Sequence, residues 1–223
     1  MFISVKKSVY FLALAVFLTA CGGAPKTSEE AGDVKQASVE SQMYVVDLEN
    51  SVINWEGAKI TQTVHHGIVK LSEGNFHIKD GELEAANFVI DMSSIEDHDL
   101  TEETGKYKLE GHLKSADFFQ VEDYPVARLE ITDVQQADED SDATHIIKGN
   151  LTIKDITNGI TFPAMVTMAE NILEAAARFE INRNEWGVIW GGTKTDQSIK
   201  DMLQNNLIKD LIVFEVNLIA HSE

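Results

Sequence analysis

From residue 43 onward the chain alternates between apolar and polar positions. Phe76 and Ile78 are interleaved with Asn75, His77 and Lys79. Phe88, Ile90 and Met92 are interleaved with Asn87, Val89 and Asp91, and Ala127, Leu129 and Ile131 with Arg128, Glu130 and Thr132. The pattern returns at Gly149, Leu151 and Ile153, and again at Phe214, Val216 and Leu218. A period of two sends successive side chains to opposite faces, so each run predicts a strand with one buried and one wet face, as in antiparallel sheet. Asp80-Gly81 and Asn158-Gly159 fall between such runs. Both pairs tolerate the positive φ of a type I′ turn and predict two tight hairpins. Helical spacing occurs twice: Leu109 and Leu113 within residues 101–116, and Ile199, Met202 and Leu203 within residues 196–208. Many strands, few helices and no strand–helix–strand alternation predict one all-β domain, a barrel or a sandwich.

The N-terminus reads differently. Lys6 and Lys7 precede an apolar run at residues 9–18, about half the length of a membrane-spanning helix. A basic flank and a short apolar run fit a secretory signal. Leu18-Thr19-Ala20-Cys21 follows directly and is similar to a bacterial lipobox, in which the cysteine thiol takes diacylglycerol. Residues 1–20 are therefore expected to be a lipoprotein signal peptide and Cys21 the lipidated first residue of the mature protein. Residues 21–42, rich in Gly, Ala, Ser and Glu without periodicity, predict a flexible tether spanning roughly 25 Å as a random coil. The remaining domain covers residues 43–221.

Composition narrows the partners. The chain carries 37 Asp and Glu against 18 Lys and Arg, a formal charge of −19. Removing Lys6 and Lys7 with the signal takes −19 to −21. Such an excess repels phosphate backbones, so nucleic acid is not an expected partner. It also repels an anionic bilayer, so membrane attachment should rest on the acyl chains of Cys21. That cysteine is the only one, so the domain forms no internal disulfide. The expected location is the bacterial cell envelope. Gly22, where an Asp would signal inner-membrane retention, leans the assignment toward the outer membrane, with the domain facing periplasm or exterior. Oligomeric state stays open, a homodimer included.

Catalytic patterns are missing from the sequence: there is no H-E-x-x-H, G-x-S-x-G, P-loop or dinucleotide fingerprint. No catalytic residue is expected. His65 and His66 are neighbours, but on a strand they point to opposite faces and so read as solvated or capped histidines. Glu96, Asp97, Asp99, Glu102 and Glu103 surround His98, yet lack the spacing of a calcium loop and read as a solvated acidic loop. No metal site and no cofactor, apart from a bound lipid, is expected. Asn150-Leu151-Thr152 matches a glycosylation sequon but falls within a predicted strand.

Three segments bear a resemblance to the YceI family. Gly111-His112-Leu113-Lys114-Ser115-Ala116-Asp117-Phe118-Phe119, with Tyr124-Pro125 after it, is similar to that family's His-Leu-Lys-Ser-x-Asp-Phe-Phe block and Tyr-Pro. Gly149-Asn150-Leu151-Thr152-Ile153 resembles its Gly-Asp-Leu-Thr-Ile strand, and Ile181 to Gly187 its Asn-Arg-x-x-Phe-Gly segment. Tyr44-Val45-Val46-Asp47 resembles its start. Asn150 stands where Asp is usual, Lys154-Asp155 where Gly is common, and Trp186 where Phe is usual.

The resemblance implies a lipocalin-like antiparallel β-barrel with one or two short helices, holding a long isoprenoid or similar apolar lipid. It implies a non-enzymatic carrier. The alternative is a lipid hydrolase or isomerase with a His and a carboxylate at the barrel mouth. The expected ligand-binding residues are Phe76, Phe88, Ile90, Met92, Leu129, Ile131, Leu151, Ile153 and Phe214 on inward faces, and Phe118 and Phe119 at the mouth. Trp186, spaced i, i+4 from Trp190, should line the cavity or plug its end, and Arg183 should meet a headgroup or pair with a carboxylate.

Overall fold

Each strand pairs antiparallel with its neighbours, and the order of pairing closes on itself. The computed structural model describes residues 26–223. Its strands are β1 Gln42–Val46, β2 Val52–Lys59, β3 Val64–Lys79, β4 Glu82–Asp97, β5 Val126–Gln136, β6 His145–Ile153, β7 Ile156–Ala169, β8 Ile172–Asn182 and β9 Ile208–Ser222. Helix α1, Lys106–Lys114, follows β4, and α2, Gln197–Leu203, precedes β9. The order runs from β3 through β4, β5, β6, β7, β8 and β9 and returns through β1 and β2. β1 and β2 lie end to end in one gap: both pair with β3 on one side and β9 on the other. Nine strands therefore fill eight positions of a closed barrel, in which every strand has a paired neighbour on each side. Asp47 holds the break between β1 and β2 by accepting the amides of Glu49 and Asn50. The expected signal peptide and Cys21 lie outside the described residues.

The strands are longer than the alternating runs because bulges shift the phase. In the β3–β4 pair the register slips between Ile68 and Lys70, between Leu71 and Glu73, and between His77 and Ile78. Each slip exchanges the inward and outward sets, so a strict alternation ends there. Asp80 and Gly81 form the expected turn, at φ 53° and 84°. The second turn departs from expectation. Ile153 pairs with Ile156, so the β6–β7 turn is Lys154-Asp155, at φ 51° and 59°, while Asn158 and Gly159 lie inside β7. Gly159 answers a close approach instead: a Cβ there would sit 2.6 Å from the Glu30 carbonyl oxygen.

That approach comes from the stretch expected to be a free tether. Residues 27–41 are laid along the outside of the barrel. Glu29 forms a two-way β-bridge with Gly159, and the Lys35 amide donates to Ile131 O. Asn150 Oδ1 accepts from the Gly32 amide at 2.9 Å, while its Nδ2 donates to Gly32 O at 2.7 Å. The Thr27 amide and hydroxyl donate to Glu185, and Thr27 Oγ1 accepts from the Asn182 amide. Backbone groups satisfied in this way outweigh the segment's polar composition, which by itself favours a coil. An amide at residue 150 can both donate and accept; a carboxylate can only accept. Asn150→Asp is therefore expected to cost about 1 kcal/mol and to speed hydrogen exchange at Gly32 and Glu29, with exchange elsewhere in the barrel unchanged.

The core is the barrel interior. Tyr44, Val46, Ile78, Leu173 and Ala220 are buried near the ends of β1, β3, β8 and β9 and pack the end away from the helices. The helices sit at the opposite end. There, the β6–β7 hairpin and a 3-10 turn at Arg183–Trp186 meet, where Asn158 Nδ2 donates to Glu185 O.

Candidate functional site

The interior is hollow. A cavity of about 600 Å³ runs along the barrel, within the roughly 300–1,000 Å³ typical of small-molecule sites. Its size follows from which residues face inward. Ala175, Ala177 and Phe179 on β8 alternate with exposed neighbours, and the inward positions of β7 include Phe162 and Ala164. Ala164 pairs directly with Ala177, and Ala86 and Ala127 line the opposite wall. Small side chains on several strands leave a space that larger residues would fill. Aromatic rings shape what is left: Phe162 and Phe179 stack at 4.6 Å, and Phe76 meets Phe88 edge-on at 5.1 Å.

The expected binding residues fall around this cavity. Phe76, Phe88, Ile90, Met92, Leu129, Ile131, Leu151, Ile153 and Phe214 line it along the shaft, and Phe118 and Phe119 line it near the helices. Trp186 does not line it. Trp186 ends a 3-10 turn and Gly187 follows it at φ 69°, so the chain from Trp186 to Trp190 is not a strand and the strand rule that put both on one face does not apply. Trp186 is fully buried in the core, and its indole N–H donates to Leu151 O at 2.8 Å. Trp190 does reach the cavity, edge-on to His112 at 4.4 Å. Sequence reading missed Trp55, Phe162, Phe179 and the alanines of β8. The Glu174-Ala175-Ala176-Ala177-Arg178 run was the available signal, because alanines on an inward face mean space.

Arg183 is not at a headgroup. It is fully buried, and its Nη1 donates to Val188 O at 2.6 Å and Trp190 O at 3.0 Å, while Nε donates to Lys209 O. Asp210 lies 3.9 Å from Nη2, and the Phe118 ring lies beneath the guanidinium. Burial pushes Arg183 down to about 10, with Asp210 acting against it, so it stays charged at neutral pH. Burial would raise Asp210, but hydrogen bonds from the Thr193 hydroxyl and amide hold it below the usual range. The pair pins the segment 187–193 across the barrel end.

His65, Asp97 and Asp99 form the one group, among the described residues, that brings three potential metal ligands together, with ligand atoms within 4.8 Å of one another. His65 Nδ1 lies 3.0 Å from Asp99 Oδ2, and the His66 amide donates to Asp99 Oδ1. Asp97 departs from the expected solvated loop: it is fully buried, its Oδ1 accepts the Leu100 amide, and Oδ2 has no donor. Burial raises the Asp97 carboxyl above the usual range, with Asp99 adding to the rise. An acid raised by folding contributes stability when protonated and loses it as pH rises through the folded value. Asp97→Asn keeps the shape and the acceptor. It is expected to leave stability at pH 7 unchanged or higher, and to flatten the decline that urea melts show as pH rises above the ordinary carboxylate range.

The comparisons with known proteins agree with this architecture. A family model described as a YceI-like domain matches residues 44–219. A UPF0312 protein of Pseudomonas putida is 28% identical over 123 residues, 54% of this chain and 60% of that protein. A UPF0312 protein of Azotobacter vinelandii is 27% identical over 158 residues, 68% of this chain and 71% of that protein. The chain thus spans about 60% of the length of the P. putida relative. Among solved structures, Burkholderia cenocepacia BcnA aligns with a TM-score of 0.59 at 18% identity, covering 78% of this chain and 99% of that one. A polyisoprenoid binding domain from Saccharophagus degradans, described as implicated in plant cell wall breakdown, aligns with a TM-score of 0.57 at 14% identity, covering 81% and 98%. At these identities the likeness is one of fold.

Proposed function

The chain belongs to the YceI-like domain family, and from that premise we propose that its barrel binds a long apolar chain, of isoprenoid or similar type, and carries it without chemical change. The hollow carries this reading: an elongated apolar cavity inside a closed barrel, lined by Phe, Ile, Leu and Ala. Burial is worth about 0.8 kcal/mol per CH₂, so a chain of several isoprene units needs no polar anchor to be held. The polyisoprenoid-binding neighbour supports the same ligand class. Native mass spectrometry of the purified protein, followed by lipid extraction, tests it. An intact lipid retained without turnover is the expected result; an empty barrel that takes up no apolar probe would refute the proposal.

A second reading, a lipid hydrolase or isomerase, has one observation in its favour. His65 lines the cavity and pairs with Asp99 at its mouth. Incubation of the bound lipid with the protein separates the two readings: a product that forms with wild type and not with His65→Ala would make it an enzyme.

We assign attachment to the cell envelope, and to its outer membrane before the inner, to acylation of Cys21. The docked segment then has a consequence for reach. Five residues separate Cys21 from Thr27, a span of at most about 20 Å at roughly 3.5 Å per residue. Thr27 binds Glu185 and Asn182 at the end that carries the cavity mouth. The mouth would be held close to the bilayer, where an apolar ligand resides. Cys21→Ser is expected to abolish labelled-palmitate incorporation and to leave an unprocessed precursor; continued incorporation would overturn the assignment.

A further inference from the structure

The mouth carries a charge pattern opposite to that of the molecule. Carboxylates outnumber Lys and Arg by 37 to 18 in the chain, yet among the described residues no Asp or Glu lines the cavity. Its ionisable lining groups are Lys59, His65, Lys108, His112, Arg183 and Lys209, all basic. Three of these are committed elsewhere. Arg183 holds backbone carbonyls and faces Asp210, while His65 and His112 lie 3.0 and 3.4 Å from Asp99 and Asp117.

The lysines are free for a ligand. Lys59 and Lys209 donate only to neutral amide oxygens, Asn206 Oδ1 and Gln62 Oε1, each at 3.2 Å. Among the described residues none of the three ammonium groups has a carboxylate within 4.0 Å. Lys59 at the end of β2 pairs with Ile208, so it lies beside Lys209 at the start of β9, while Lys108 comes from α1. The three line the opening from two sides above the apolar shaft.

We infer that the ligand is an amphiphile with an anionic head, a carboxylate or a phosphate monoester, seated among Lys59, Lys108 and Lys209 with its chain in the barrel. This rests on the lipid-binding reading above and adds the chemistry of the head. Hydrogen bonds between ammonium and anion are charge-assisted, and low-dielectric walls beneath them strengthen the attraction. The molecule's overall negative charge opposes an anion at long range. At physiological salt that field is screened beyond about 8 Å, whereas contact with the three lysines is not. Lysine, a point charge on a flexible stem, suits a head whose position varies with the length of the buried chain.

The test compares chain-matched probes on the full mature protein. cis-Parinaric acid is set against its methyl ester, and geranylgeranyl phosphate against geranylgeraniol, each at low and physiological salt. The anionic member of each pair is expected to bind at least about tenfold tighter, about 1.4 kcal/mol, with the advantage shrinking as salt rises. A preference confined to one pair identifies the head as carboxylate or as phosphate. Combined Lys59→Gln, Lys108→Gln and Lys209→Gln should remove the preference and leave the neutral probes unchanged; arginine at the same positions should keep it. Equal affinity for charged and neutral probes would overturn the inference and leave the carrier reading standing. So would a preference that survives the triple glutamine change. Failure of every probe to bind would overturn both.

Discussion

Trp186→Ala is expected to lower the unfolding free energy by about 3–5 kcal/mol, the range for deleting a large aromatic from a core. The side chain is fully buried, so its whole surface is lost from packing. The indole N–H to Leu151 O bond is lost as well, at a strand that also pairs with β5 and β7. The position offers little relaxation, because Trp186 ends a 3-10 turn closed by Gly187 at φ 69°. At about 2–4 °C per kcal/mol for a domain of this size, the melting temperature should fall by roughly 6–20 °C. Trp186 lies outside the cavity lining, so probe affinity measured below the new melting temperature should hold. A loss of affinity with little loss of stability would mean that Trp186 touches the ligand after all.

Ala175→Trp should do the reverse. Ala175 faces the cavity from the middle of β8, opposite Val166 on β7 and Leu218 on β9. In a filled core such an enlargement would cost roughly 1–3 kcal/mol through overpacking. Here the ring has empty volume to enter, and stability should change by less than about 1 kcal/mol. The ring would displace ligand. If it removes the room of three or four methylene groups, at about 0.8 kcal/mol each, affinity falls roughly a hundredfold. Denaturant melts and displacement of a fluorescent apolar probe measure the two effects separately. A large stability loss with unchanged probe binding would show that the hollow is not where the ligand sits. Ile90→Trp and Ile153→Trp, from β4 and β6, should follow the same pattern.

Together the two substitutions separate what holds the barrel from what the barrel holds. The residues that close it are buried, Tyr44 and Leu173 at one end and Trp186 at the other. The residues that line it, such as Ala175, Ala177 and Phe179, are only partly buried because the hollow itself exposes them. Alternation alone does not distinguish large lining residues such as Phe179 from closing ones such as Leu173, since each stands beside a polar neighbour on β8.

By itself the sequence determined which residues face inward along parts of β3, β4, β5, β6 and β9, where the two helices form, and that Asp80-Gly81 turns the chain. These are local properties: the period of a strand and the φ freedom of two residues act within a few positions. The family resemblance added the barrel. Tertiary structure alone decided the rest. Asn158-Gly159 and Lys154-Asp155 both had the composition of a turn or close to it, and the pairing of β6 with β7 chose the second. Polar residues 27–41 had no periodicity to reveal a docked segment, because their hydrogen-bond partners Gly159, Asn150 and Ile131 lie about a hundred positions away. The hollow depends on alanines of β4, β5, β7 and β8 meeting across one interior, and the basic mouth on lysines from β2, α1 and β9 converging. Both arise only when the barrel closes, since closure brings distant strands to one space and sets which side chains share it.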